Sequence, residues 1–190
     1  FIVAHIHYVL FGGSLFGIFA GIYYWFPKMY GKMLSETWGR RHFFWTFLTF
    51  NLTFFPMHVL GVAGHMRRIY DPNVYDFLKG LSGMNEFITL SAIGLGFSQL
   101  LLVGNILWSL KWGRKAPRNP WRANTLEWAA PAHPGHGNFD RDITVYRGPY
   151  EYGVEGRDLD YWPQWEPGKS ISVHHHTVAV KDDENVFGAH

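Results

Sequence analysis

This sequence predicts an all-α integral membrane fold, and two observations predict it. Three long runs carry no charged residue: Phe1 to Phe26, Phe43 to Met66 and Phe87 to Leu110. Each is long enough to cross a bilayer as a helix, which takes about 20 apolar residues. The stretch beyond about Trp112 is different: polar, and rich in Pro, Gly and charge. The mean hydropathy of −0.10 averages these two unlike parts. The expected organisation is three transmembrane helices over about 2–26, 43–64 and 85–110, then a polar tail over 113–190.

The composition also excludes chemistry. With no cysteine, the chain has no disulfide, thiolate ligand or iron–sulfur site. The formal charge of +2 does not point to nucleic acid, because the basic residues flank the membrane runs. Lys28, Lys32, Arg40 and Arg41 stand against Glu36 in the first connection. Lys111, Arg114, Lys115, Arg118 and Arg122 follow the third run. Excess Lys and Arg favour the cytoplasmic side. The first connection and the tail are therefore expected there, with the start of the first helix and Arg67 and Arg68 on the opposite side.

The first helix is expected to stop at Pro27, which has no N–H to donate. Tyr23, Tyr24 and Trp25 suit a membrane interface. Gly13, Gly17 and Gly21 recur every fourth residue and would let a neighbouring helix approach closely. In the second helix Pro56 is expected to cause a kink. Asn51 and His58 share one face there and are expected to hydrogen-bond to other helices, a role that suits His58 better than metal ligation. Trp108 and Trp112 mark the far interface of the third helix. The tail beyond Pro117 shows no sustained period, although Ile143 to Tyr146 could be extended. The cluster His174-His175-His176 reads as surface residues rather than a metal site.

His5 and His7 lie inside the first apolar run. Ionisable side chains at membrane depth are costly and usually functional. Successive helical residues are about 100° apart, so two residues two positions apart point roughly 200° apart. One metal cannot take both from a regular helix. Two prosthetic groups, one on each side, can. Hydrogen bonding between helices is the alternative use of such residues, and spacing alone leaves both open.

The segment Val3-Ala4-His5-Ile6-His7-Tyr8-Val9-Leu10 closely resembles the His-Phe-His-Tyr-Val-Leu segment on the tenth transmembrane helix of subunit I of the haem-copper respiratory oxidases. Ile6 replaces the usual Phe, and Phe11 stands where Ser is frequent. The resemblance implies that His5 is the proximal, catalytic ligand of the high-spin haem at the oxygen site. It implies that His7 ligates the low-spin haem. Arg67-Arg68 resembles the arginine pair that neutralises the haem propionates in that family, with His65-Met66 standing where Met-Pro is common. Thr125-Leu126-Glu127-Trp128 and Arg147-Gly148-Pro149-Tyr150-Glu151-Tyr152 resemble the tail after the last helix in bacterial members.

The resemblance implies the C-terminal three helices of a twelve-helix bundle. The implied activity is reduction of dioxygen to water with electrons from cytochrome c, coupled to proton translocation. The implied cofactors are two haems, of the a type, and a copper whose ligands lie outside these residues. The implied partners are the remainder of subunit I, a copper-binding subunit II, subunit III, cytochrome c and membrane lipid. A bacterial plasma membrane is the expected location, ahead of the mitochondrial inner membrane. A quinol oxidase of the same superfamily, or a non-catalytic haem-binding membrane subunit, is the alternative.

Overall fold

The computed structural model describes residues 1–131, 136–157 and 161–168. Three helices are long and apolar enough to cross a membrane: Ile2–Tyr30, Glu36–Val62 and Ser82–Trp112. Between the last two lie a 3-10 turn, Pro72–Val74, and one helical turn, Asp76–Lys79. The chain divides into two compact units, Phe1–Phe26 with Lys32–Arg114, and Pro27–Gly31 with Lys115–His190.

The first helix departs from its expected form twice. It does not stop at Pro27; it runs on to Tyr30 with Pro27 buried inside it. The missing N–H costs the helix one bond, and the stop comes instead at Gly31. That residue adopts φ 65°, which glycine tolerates without a Cβ clash, and its N–H donates to the Pro27 carbonyl at 2.9 Å. The helix is also not uniformly α. Residues Ile2–His7 are α, Tyr8–Leu15 form a π-helix, and α geometry resumes at Phe16. In a π stretch each bond spans one more residue, so the ladder changes register there.

The second helix starts at Glu36, well before the apolar run, because its polar first turn is satisfied. Glu36 sits where the helix dipole favours a carboxylate, and Arg40 Nε lies 3.4 Å from it. Asn105 of the third helix supplies the rest. Its Oδ1 accepts from Ser35 N–H at 3.0 Å, and its Nδ2 donates to Ser35 carbonyl at 3.0 Å. Asn105 is fully buried and caps the second helix in place of a local side chain.

The second and third helices meet along a polar seam. Thr46 and Ser98 hydroxyls are 3.0 Å apart, and Gln99 Nε2 donates to both at 3.2 and 2.9 Å. His42, buried, faces Gln99 Oε1 at 3.2 Å and the Tyr23 hydroxyl at 3.4 Å. In lipid, where apolar burial between helices gains little, small polar contacts of this kind hold helices together. The first helix joins through aromatic packing. Tyr8, Phe11 and Phe16 lie against Phe50, Phe54 and Leu95. In the most apolar window of each helix 6% of the first, 28% of the second and 17% of the third is buried, so the second is the central element. Among the described residues no other helix approaches the expected glycine stripe: Gly13 and Gly17 face open space and Gly21 meets Trp25 of its own helix, while Gly12 meets Phe50.

In the second unit a 3-10 turn, Leu126–Trp128, buries Trp128. Lys28 Nζ lies 5.2 Å over the Trp128 ring and donates to Ala130 carbonyl at 2.7 Å. Arg118 donates to Ala129 carbonyl and pairs with Asp140 at 2.7 Å, which holds that carboxyl below its ordinary range. Arg147 is buried and donates to the carbonyls of Gly168 and Pro163. Burial pulls its guanidinium below the usual value, against the pull of Glu151 and Glu166. Among the described residues no strand forms. The stretch expected to be extended contributes a Tyr146 N–H bond to Gln164 carbonyl at 2.9 Å. His174, His175 and His176 lie outside the described residues.

Removing the amide of Asn105 orphans two backbone groups of Ser35, each costing about 1–3 kcal/mol if left unpaired. Asn105→Leu is expected to lower the thermal midpoint in detergent by several degrees, whereas Leu107→Ala on the exposed face is expected to change it little.

Candidate functional site

His5 and His7 both belong to the short α segment Ile2–His7 that precedes the π stretch. His7 Nδ1 lies 2.7 Å from Val3 carbonyl, one turn back. A carbonyl only accepts, so Nδ1 carries the hydrogen and Nε2 keeps a free lone pair. The ring stacks on Phe54 of the second helix, 4.6 Å between centroids and 17° between planes. It also lines a shallow apolar groove of about 360 Å³ with Ile6, Leu10, Phe11 and Ser14. His5 is exposed, with its ring parallel to Phe1 at 6.5 Å and 8°. The two imidazoles thus occupy different surroundings.

His58 does not bond across to another helix as expected. Its Nδ1 lies 3.1 Å from Phe54 carbonyl, on its own helix. Asn51 does bond across: its Oδ1 accepts from the Tyr8 hydroxyl at 2.8 Å.

Arg67 and Arg68 are exposed and border a cavity of about 480 Å³. Ile2 and Ala4 from the first helix, Gly61 from the second and Asn85 from the third complete its wall. The arginine pair and the head of the first helix are therefore at one end of the unit. His5 and His7 do not line this cavity. Two features of the cavity are not read from composition. Gly61 lets the backbone of Phe1 approach: a Cβ there would fall 1.9 Å from the Phe1 nitrogen. His65 ties the arginine loop to the third helix, with Nδ1 donating to Met66 carbonyl at 2.9 Å and Nε2 accepting from Asn85 at 3.4 Å. Arg68 itself adopts φ 62°, a left-handed conformation unfavourable for a side-chain-bearing residue.

Among the described residues no three His, Cys, Asp or Glu side chains gather to hold a metal ion. A haem iron asks less of the chain, a single axial imidazole with its free nitrogen exposed. His7, with Nδ1 tied back and Nε2 available, fits that demand.

Three membrane-length helices, with imidazoles and guanidiniums gathered at one end, define an all-α integral membrane protein. The family described as Cytochrome C and Quinol oxidase polypeptide I matches residues 1–97, and the chain belongs to that family. Similar proteins include cytochrome c oxidase subunit 1 of Synechocystis sp., 47% identical over 160 residues, which cover 84% of this chain and 28% of that protein. Alternative cytochrome c oxidase subunit 1 of Bradyrhizobium diazoefficiens is 42% identical over 176 residues, covering 91% of this chain and 30% of that protein. Cytochrome c oxidase subunit 1 of Thermostichus vulcanus is 45% identical over 159 residues, covering 83% and 28%. The chain thus spans under a third of the length of these relatives.

Proposed function

We propose that this chain is a three-helix part of the catalytic subunit of a terminal respiratory oxidase. The observation that carries it is the pair His5 and His7 at the head of one apolar helix, inside the stretch that the family matches. In this reading His7 holds the iron of a low-spin haem, and His5 holds the iron of a high-spin haem. When bound, these groups, of the a type, supply electron transfer and the reduction of dioxygen to water, together with a copper held outside this chain. Cytochrome c as electron donor is favoured over quinol because the similar proteins are named cytochrome c oxidases. Coupled proton translocation, a copper-binding subunit II and a subunit III follow from the same reading.

The residues of this chain then have separate tasks. The Val3 carbonyl fixes the tautomer and plane of His7. Arg67 and Arg68 offer planar, permanently charged forks to propionate carboxylates where the cavity opens at the helix ends. Phe54 and Phe11 keep the neighbourhood of His7 apolar. In this reading the first connection and the tail lie on the cytoplasmic side, as their excess of Lys and Arg favours, and the membrane is a bacterial plasma membrane.

In the complete polypeptide, His7→Ala is expected to remove the low-spin haem spectrum and leave carbon monoxide binding at the oxygen site. His5→Ala is expected to do the reverse, losing carbon monoxide binding first. Either variant with both haem spectra intact contradicts the assignment. Neutral substitution of Arg68 should keep both haems bound and lower a midpoint potential; unchanged potentials would make the arginines headgroup anchors.

Orientation has its own check. Protease added outside sealed, right-side-out vesicles should leave the tail beyond Trp128 whole. Rapid cleavage there would place it on the other side.

A further inference from the structure

We propose that Tyr8 and Asn51 are a positioning pair that sets the direction in which His7 presents Nε2; this rests on the reading of His7 as an axial ligand. Three observations combine. First, His7 is tied to its own helix, through Nδ1 and Val3 carbonyl at 2.7 Å. Its Nε2 therefore turns with the helix rather than independently of it. Second, the α segment that carries it, Ile2–His7, is only a turn and a half long and ends where the π register begins at Tyr8. The ladder changes partners at that point, which sets the register of this segment apart from that of the α-helix resuming at Phe16. Third, Tyr8, at this junction, is pinned to the most buried of the three helices.

The pin is defined atom by atom. Asn51 Nδ2 donates to Phe47 carbonyl at 2.8 Å, so its Oδ1 is the atom turned outward. That oxygen accepts the Tyr8 hydroxyl at 2.8 Å. The reverse amide orientation would set Oδ1 against the Phe47 carbonyl, two acceptors facing each other, so the Tyr8 hydroxyl is the donor. The Tyr8 ring is held between Phe50, 4.9 Å away at 59°, and His58, 5.4 Å away at 58°. In lipid no water is at hand to replace this bond, and its loss leaves Asn51 Oδ1 unpaired. Rotation of the segment would break it. The bond thus resists the one motion that would swing the imidazole plane.

The test uses the complete polypeptide in its membrane, with Tyr8→Phe, Asn51→Leu and the double variant. Haem content should stay at the wild-type level. The g values of the low-spin ferric haem report imidazole plane orientation, and these should shift in both single variants together with the midpoint potential. The double variant should shift no further than the larger single, as expected of two residues acting through one bond. If Asn51→Leu does not assemble, Tyr8→Phe removes one oxygen atom and carries the test alone. Unchanged g values and potential in Tyr8→Phe overturn the proposal, as does haem loss without any spectral shift in the haem that remains. His7→Ala separates this from the underlying reading. If it abolishes the low-spin haem while Tyr8→Phe is silent, the pair alone falls. If low-spin haem survives His7→Ala, both fall together.

Discussion

Hydrogen bonding inside a low-dielectric slab is the constraint from which the membrane unit follows. Lipid offers backbone and side-chain polar groups no partners, so each must find one in the protein. The second and third helices meet this demand with short side chains. Thr46, Ser98 and Gln99 satisfy one another, and Thr49, Thr53 and Ser91 turn their hydroxyls back onto carbonyls of their own helices. The small hydroxyl residues also allow the two helices to lie close. Asn105 extends the same logic to a helix end, replacing the local cap that Ser35 does not make. The first helix is then laid against a pair that is already satisfied, by aromatic rings and by the Tyr8–Asn51 bond.

That arrangement explains where function can sit. The side chains that could serve a prosthetic group are those the seam does not use. His42, deep in the seam, is committed to Gln99. His58 is turned to its own helix at Nδ1 and sits among Phe1, Tyr8 and Phe55. His7 differs because its Nδ1 bond leaves Nε2 beside an open groove, and His5 because it is exposed on a helix face that the described residues do not cover. The cavity at the helix ends brings the arginine pair to the same end of the unit without burying it.

Much of this was legible in the sequence. The three spans show as charge-free runs, and the pairing of His5 with His7 shows as spacing. Their boundaries were less legible, because the runs mark where charge begins and not where helices end. Glu36 and Arg40 are charged yet helical, since the helix dipole suits Glu36 and an i,i+4 contact joins the two. Pro27 has the residue type of a stop, but one missing hydrogen bond does not end this helix, and Gly31 with its positive φ does. The π stretch Tyr8–Leu15 carries no mark in residue type, being a matter of which carbonyl each N–H selects. Asn51 is visible as a polar residue on an apolar helix, whereas nothing in the sequence singles out the Tyr8 hydroxyl as its partner. The contacts of Gly61 with Phe1 and of His65 with Asn85 depend on how residues far apart in sequence converge, which no local pattern encodes.

The central claim is that one helix gives one imidazole to each of two irons. A cryo-EM map of the complete complex, at a resolution that separates ring from iron, tests it most directly. The account predicts His5 Nε2 and His7 Nε2 each about 2 Å from a different iron, the usual metal–imidazole length. Both rings on one metal, or neither ring near a haem, would contradict it.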